Sequence, residues 1–91
     1  TREHFMTGRV LDTLGTAYAA KGNFPIAREF YEQSLRFKQR FEDESGIAVS
    51  HGQLGRLYLD WGQLDEAEDH FRQDLELAQR LRSRFSEAQI Y

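Results

Sequence analysis

The chain has 91 residues, enough for one domain and too few for a second core. Its 15 acidic and 12 basic side chains are mixed along the sequence and leave a net charge of −3, which argues against nucleic acid or a membrane surface as a partner. Cysteine is absent, which excludes disulfides and thiol chemistry, and no apolar run is long enough to span a membrane. Good helix formers dominate, which predicts an all-α protein. Because the N-terminus also lacks an apolar signal-like segment, we expect a cytoplasmic protein, and we expect no cofactor.

The first half of the chain predicts a pair of helices. Over Phe5–Lys21 the apolar residues recur three and four positions apart, which is the period of an amphipathic helix. Gly22 interrupts this pattern, and we expect the Asn23 side chain to cap the next helix. Pro25 suits a first helical turn because its missing N–H is not needed there. The second helix is therefore predicted over Phe24–Phe41, or one residue further.

The second half repeats the first at a constant offset. Leu14-Gly15-Thr16-Ala17-Tyr18 returns 40 residues later as Leu54-Gly55-Arg56-Leu57-Tyr58. A period in this range indicates a solenoid, in which helical hairpins bury their apolar faces by stacking. The offset predicts an inter-unit turn at Asp43–Gly46, a third helix ending at Gly62, and a fourth beginning at Gln63 or Leu64.

The same offset divides the chain, a single domain over 1–91, into repeat units. We place the first at about 6–45, the second at about 46–85 and the start of a third at 86–91. The core-facing positions then share three-and-four spacing: Leu11, Leu14 and Tyr18; Phe24, Ala27, Phe30, Tyr31, Ser34, Leu35, Lys38 and Phe41; Leu54, Leu57 and Tyr58; Ala67, Phe71, Leu75, Ala78 and Leu81. Lys38 is expected to lay its stem along apolar surface, and Phe85, Ala88 and Tyr91 would lack a covering helix.

The repeat resembles the tetratricopeptide repeat family. Its pattern, a Leu-Gly pair followed by an aromatic, an alanine and a second aromatic, is met by Leu14-Gly15, Tyr18, Ala27 and Tyr31, and again by Leu54-Gly55, Tyr58, Ala67 and Phe71. The family's Trp is replaced by Leu11 and His51, and the Pro that commonly ends its second helix is replaced by Gln39 and Gln79. Longer second helices would account for a period of 40, typical of a long-helix subclass.

The resemblance implies that the first helix of each hairpin lines a concave groove that receives a peptide. The stripe of each such helix that points away from the core gives the candidate peptide-binding set: Arg9, Asp12, Thr13, Thr16, Ala20, Val49, Gly52, Gln53, Arg56 and Asp60. Arg9 and Arg56 are the expected anchors, because a guanidinium grips carboxylates with two hydrogen bonds. The Lys and Asn clamp that some family members use for an acidic peptide end has no counterpart here.

Other residues carry weaker signals. Trp61 is expected to pack over the turn at Gly62, with a role as an interface anchor as the alternative. His4, His51 and His70 lack metal-ligand spacing, and we expect His51 and His70 at the edge of the core. No catalytic constellation or phosphate-binding loop emerges, so we predict neither an enzyme nor a metal site.

Three functions fit these observations. The first is a protein-interaction scaffold that binds a segment of a partner protein on its concave face. The second is a structural segment that self-associates through exposed repeat ends. The third is a regulatory or sensory repeat domain of a larger signalling enzyme, since a fold by itself does not define a function.

Overall fold

Four α-helices in antiparallel order make up the chain. The computed structural model describes the backbone of residues 2–90 and the side chains of residues 2, 3 and 6–84. The helices are α1 (Arg2–Ala20), α2 (Phe24–Arg40), α3 (Glu44–Asp60) and α4 (Leu64–Ile90), and no strand occurs within residues 2–90. The all-α prediction is therefore confirmed.

Three short turns at 21–23, 41–43 and 61–63 separate the helices at intervals of 20 residues. In each, an N–H just past the helix returns to a carbonyl of the last helical turn: Asn23 to Tyr18 at 2.9 Å, Asp43 to Lys38 at 2.9 Å and Gln63 to Tyr58 at 2.8 Å. This is the Schellman ending, and it needs one left-handed residue. Gly22 and Gly62 supply it with φ of 79° and 82°, and Glu42 supplies it with φ of 55°.

Three details of the predicted helix ends and caps are wrong. Asp43 is the N-cap of α3 instead of opening a turn to Gly46: its Oδ1 accepts a hydrogen bond from the Gly46 N–H at 3.1 Å. Glu42 reaches the left-handed region without being glycine, so α2 ends at Arg40. Asn23 occupies the predicted N-cap position of α2, but its side chain makes no capping hydrogen bond, and Pro25 lies in the first turn as expected.

Successive helices pack on one another, α1 on α2, α2 on α3 and α3 on α4. The fully buried core lies where the two hairpins meet and contains Ala27, Tyr31, Leu54, Leu57, Tyr58 and Ala67. Equivalent aromatic pairs stack within each hairpin, Tyr18 on Phe30 and Tyr58 on His70, with ring centroids 5.6 and 5.5 Å apart. The two hairpins are thus structural copies, as the repeat predicted.

The helices of each hairpin approach closely at a glycine. A Cβ built on Gly15 would lie 2.7 Å from the Tyr31 ring, and one built on Gly55 would lie 2.7 Å from the Phe71 ring. The aromatic ring therefore occupies the space that a larger side chain on the first helix would need. Gly15 and Gly55 are therefore packing residues.

Burial differs between equivalent positions. Leu54 is 1% exposed and Tyr31 is 5% exposed, whereas their counterparts Leu14 and Phe71 are 38% and 39% exposed. The prediction that Leu14, Phe71, Leu75, Ala78 and Phe41 face the core is wrong in this respect, since all five are exposed. For the residues on α1 and α4 the reason is their place in the stack: α2 and α3 have neighbours on both sides, while α1 packs mainly on α2 and α4 mainly on α3.

α4 runs through the point where the offset of 40 places the next turn. Residues 81–83 correspond to the turn at 41–43, yet they are helical and α4 continues to Ile90. The exposed Arg84 guanidinium pairs with the Glu44 carboxylate at the start of α3, so this part of α4 lies alongside α3. The predicted boundary at 86 is thus not marked by a turn, and the side chains of Phe85, Ala88 and Tyr91 lie outside the described residues.

Replacing each packing glycine by alanine should affect the two hairpins unequally. The Tyr31 ring is buried and its hydroxyl bonds the Thr16 hydroxyl at 2.8 Å, so it cannot yield to a new methyl group, whereas the exposed Phe71 ring can turn outward. We expect Gly15→Ala to lower the free energy of unfolding by about 1–2 kcal/mol more than Gly55→Ala, as measured by urea denaturation. An equal or larger effect of Gly55→Ala would contradict this packing.

Candidate functional site

A groove runs between α1 and α3, with α2 beneath it. It consists of two depressions of about 340 and 280 Å³. The larger is lined by Ala19, Tyr31, Val49, Gly52, Gln53, Arg56, Leu57 and Asp60. The smaller is lined by Gly8, Arg9, Asp12, Lys38, Asp43, Ser45, Gly46 and Val49. Val49 lines both, so the two depressions adjoin, and Tyr31 and Lys38 contribute the α2 side of each.

Most of the candidate peptide-binding residues lie along this groove. Seven of the ten line it: Arg9, Asp12, Val49, Gly52, Gln53, Arg56 and Asp60. Thr13 instead faces a depression of about 390 Å³ on another side of α1, together with Met6, Val10 and Leu14. Thr16 bonds the Tyr31 hydroxyl, and Ala20 is exposed at the end of α1. The structure therefore brings seven predicted positions together and places three at the margins.

A buried lysine forms part of the groove lining. The Lys38 ammonium donates hydrogen bonds to Asp12 Oδ2 at 2.9 Å on α1 and to Ser50 Oγ at 2.8 Å on α3. Nearby, the Ser34 hydroxyl donates to the Gly8 carbonyl at 3.3 Å. Lys38, Ser34 and Ser50 are all buried. Sequence reasoning placed the Lys38 stem on apolar surface but missed its buried ammonium, which joins three helices.

These contacts define what the polar groove residues can offer. The Asp12 carboxylate already accepts a hydrogen bond from Lys38, so a ligand would have to compete with this contact. The Arg56 guanidinium lies 3.3 Å from the Asp60 carboxylate in an exposed pair, where an ion pair contributes little free energy. An incoming carboxylate could therefore displace Asp60 from Arg56 at small cost. Arg9 is exposed on the opposite wall.

Trp61 packs at the junction of the hairpins. Its ring stacks on Phe24 of α2, with centroids 5.8 Å apart, and on Tyr58 of α3 at 5.9 Å. The Arg28 guanidinium lies 5.4 Å from the indole centroid, within cation–π distance. This confirms the predicted packing role of Trp61 next to the turn at Gly62.

Two histidines meet on the far side of α3 from the groove. His51 Nδ1 and His70 Nδ1 are 3.0 Å apart, so one ring must donate its proton and the other must accept it. Burial is the main cause that lowers the pKa of both imidazoles. His70 also lowers the pKa of His51, while Asp74 and Asp69 act in the opposite direction on His51, and Asp69 and Glu32 do so on His70. His51 is buried and His70 is half-buried, as the prediction of core-edge positions required.

Among the side chains that the structure describes, no cluster of three or more His, Asp or Glu residues is close enough to hold a metal ion, and His4 lies outside those side chains. None of the described helices is long and apolar enough to cross a bilayer.

The architecture and the sequence agree on a class of protein. Paired antiparallel helices with small residues at their crossing and a groove along the first helices define a helical-repeat protein. A family model described as tetratricopeptide repeat matches residues 6–80, and the chain belongs to this family. Such repeats generally mediate protein–protein interactions and are typically non-catalytic scaffolds. No solved structure matches the chain significantly. Membership of the long-helix subclass stays a prediction.

Removing the Lys38 ammonium should destabilise the chain, and removing its charged partner as well should restore stability. Lys38→Met leaves the Asp12 carboxylate uncompensated in a largely buried place, and we expect a loss of about 3 kcal/mol in urea unfolding. Lys38→Met combined with Asp12→Leu replaces the ion pair by apolar groups, so most of this loss should be recovered. A double variant that is no more stable than the single one would contradict this assignment.

Acid should weaken the fold through the histidine pair. The pKa of each imidazole is lowered from 6.5 in the folded chain, so below pH 6.5 the unfolded chain binds more protons and stability falls as the pH drops. The double variant His51→Leu with His70→Phe introduces the residues found at the equivalent positions of the first hairpin, Leu11 and Phe30. Urea midpoints at about pH 7.5 and 5.5 should differ more for the natural chain than for this variant. Equal differences would contradict the effect.

Proposed function

We propose that the chain is an interaction scaffold that binds a peptide segment of a partner protein in the groove between α1 and α3. The observation that carries this proposal is the alignment of seven of the ten candidate residues, most of them polar, along one continuous groove, with α2 side chains contributing to it. The family's general role in protein–protein interaction supports it. A concave surface with a few placed polar groups is the usual form of a binding site.

The chemistry of the groove suits a peptide that carries a carboxylate. Arg56 and Arg9 stand on opposite walls, and each can take a carboxylate with two hydrogen bonds. Val49 lies between them with an exposed side chain and offers an apolar contact where the two depressions meet. The occupant we propose is therefore a segment with an acidic residue flanked by apolar ones.

A peptide library displayed on phage can test this proposal without knowledge of the partner. Peptides selected on the natural chain should lose about tenfold in affinity for Arg56→Glu, the loss expected when a binding anchor is removed. Arg72→Glu is the matched control, because Arg72 is also an exposed arginine in a pair four residues along its helix, with Glu68 at 2.7 Å, but lies on α4 away from the groove. We expect this variant to retain binding.

Two results would contradict the proposal. Equal losses for Arg56→Glu and Arg72→Glu would indicate nonspecific attraction between charges. Amide chemical-shift changes confined to α2 and α4 on adding a selected peptide would place the binding site on the outer surface of the hairpins.

A further inference from the structure

The two ends of the helix stack expose apolar side chains. On α1, Met6, Val10 and Leu14 are exposed and line the depression of about 390 Å³, and Ala17 is exposed one turn further. We call Met6, Val10, Leu14 and Ala17 the α1 end face. On α4, the exposed residues Leu64, Phe71, Leu75 and Ala78 form the α4 end face.

The internal junction between the hairpins shows what these positions do when they are covered. There, α2 packs on α3 and buries Tyr31 of α2 together with Leu54 and Leu57 of α3. The α4 counterpart of Tyr31 is Phe71, and the α1 counterparts of Leu54 and Leu57 are Leu14 and Ala17. The α4 end of the chain thus exposes the kind of surface that α2 contributes to this junction. The α1 end exposes the kind of surface that α3 contributes.

The polar contact of the internal junction is absent from both end faces. Lys38 and Ser50, joined at 2.8 Å across the junction, correspond to Ala78 on α4 and Val10 on α1. The exposed halves are therefore more apolar at this point than the junction inside the chain. Bringing Ala78 and Val10 together would bury no charge, so no ion pair has to form for these faces to pack.

We propose that the α4 end face of one copy of this chain packs on the α1 end face of a second copy, head to tail, in the geometry of the α2–α3 junction. The occupant is a second copy because the chain itself carries both complementary halves, at opposite ends of one stack. This contact is heterologous: each copy uses two different surfaces, so association continues into a ring or an open helical array. Of the groove residues, Arg9 also borders the depression beside the α1 end face, while the larger depression around Arg56 takes no part in this contact.

Two variants, each blocking one end face, test this contact. Val10→Glu places a charge on the α1 end face, and Leu75→Glu places one on the α4 end face. Both positions are more than half exposed, so the fold should survive, which far-UV circular dichroism checks. In sedimentation equilibrium, the mass of the natural chain should rise with concentration beyond that of a dimer. Each variant alone should stay at the chain mass of 10.7 kDa.

The decisive sample is an equimolar mixture of the two variants. Val10→Glu keeps an intact α4 end face and Leu75→Glu keeps an intact α1 end face, so together they should form a dimer of twice the chain mass and nothing larger. Ile26→Glu is the control: it adds the same charge at an exposed apolar position on α2, where the second hairpin has Glu66, and it should associate as the natural chain does.

Several outcomes would overturn the proposal. A natural chain that stays monomeric up to about 1 mM, the range of a weak protein contact, would show that the faces do not meet. Loss of association in only one of the two variants would indicate a closed dimer made from one kind of face. A mixture that remains monomeric, or association abolished in Ile26→Glu, would also refute head-to-tail packing.

Discussion

The relative placement of the two hairpins depends on the buried ammonium of Lys38. A charge in the interior is costly unless it is paired and hydrogen-bonded, and here the two partners come from different helices, Asp12 on α1 and Ser50 on α3. Sliding α1 past α2 would separate the cation from its carboxylate, and sliding α3 past α2 would break the hydrogen bond to Ser50. Because α1 and α3 are also the walls of the groove, the same contact sets the distance between those walls.

Much of the fold could be predicted from the sequence because the same pattern of packing residues occurs twice, once in each hairpin. The Leu-Gly, Ala and aromatic positions of the repeat predicted two equivalent hairpins, and in the structure Gly15 packs on Tyr31 as Gly55 packs on Phe71. The glycine turns at Gly22 and Gly62 followed from their need for positive φ. The turn before α3 was misplaced because its left-handed residue is Glu42. Glycine is the residue by which a sequence usually indicates this backbone conformation, and other residues rarely adopt it.

The rest of the site could not be predicted, for a physical reason. Periodicity tells which side of a helix is apolar, but it does not tell which polar residues from distant helices will meet. Lys38 and the pair of His51 and His70 are contacts of this kind, made across 12 to 26 positions of sequence. Periodicity also does not tell whether a helix lies inside the stack or at its end. Leu14 and Leu54 occupy equivalent positions of the repeat, yet they differ in burial for this reason.

Trp61 gives this molecule a built-in optical reporter. It is the sole tryptophan of the chain, and its indole lies between Phe24 of α2 and Tyr58 of α3. Its fluorescence therefore responds to the docking of one hairpin on the other, whereas circular dichroism responds to helix content. Recording both signals during one denaturation would separate the loss of the hairpin junction from the melting of the helices themselves.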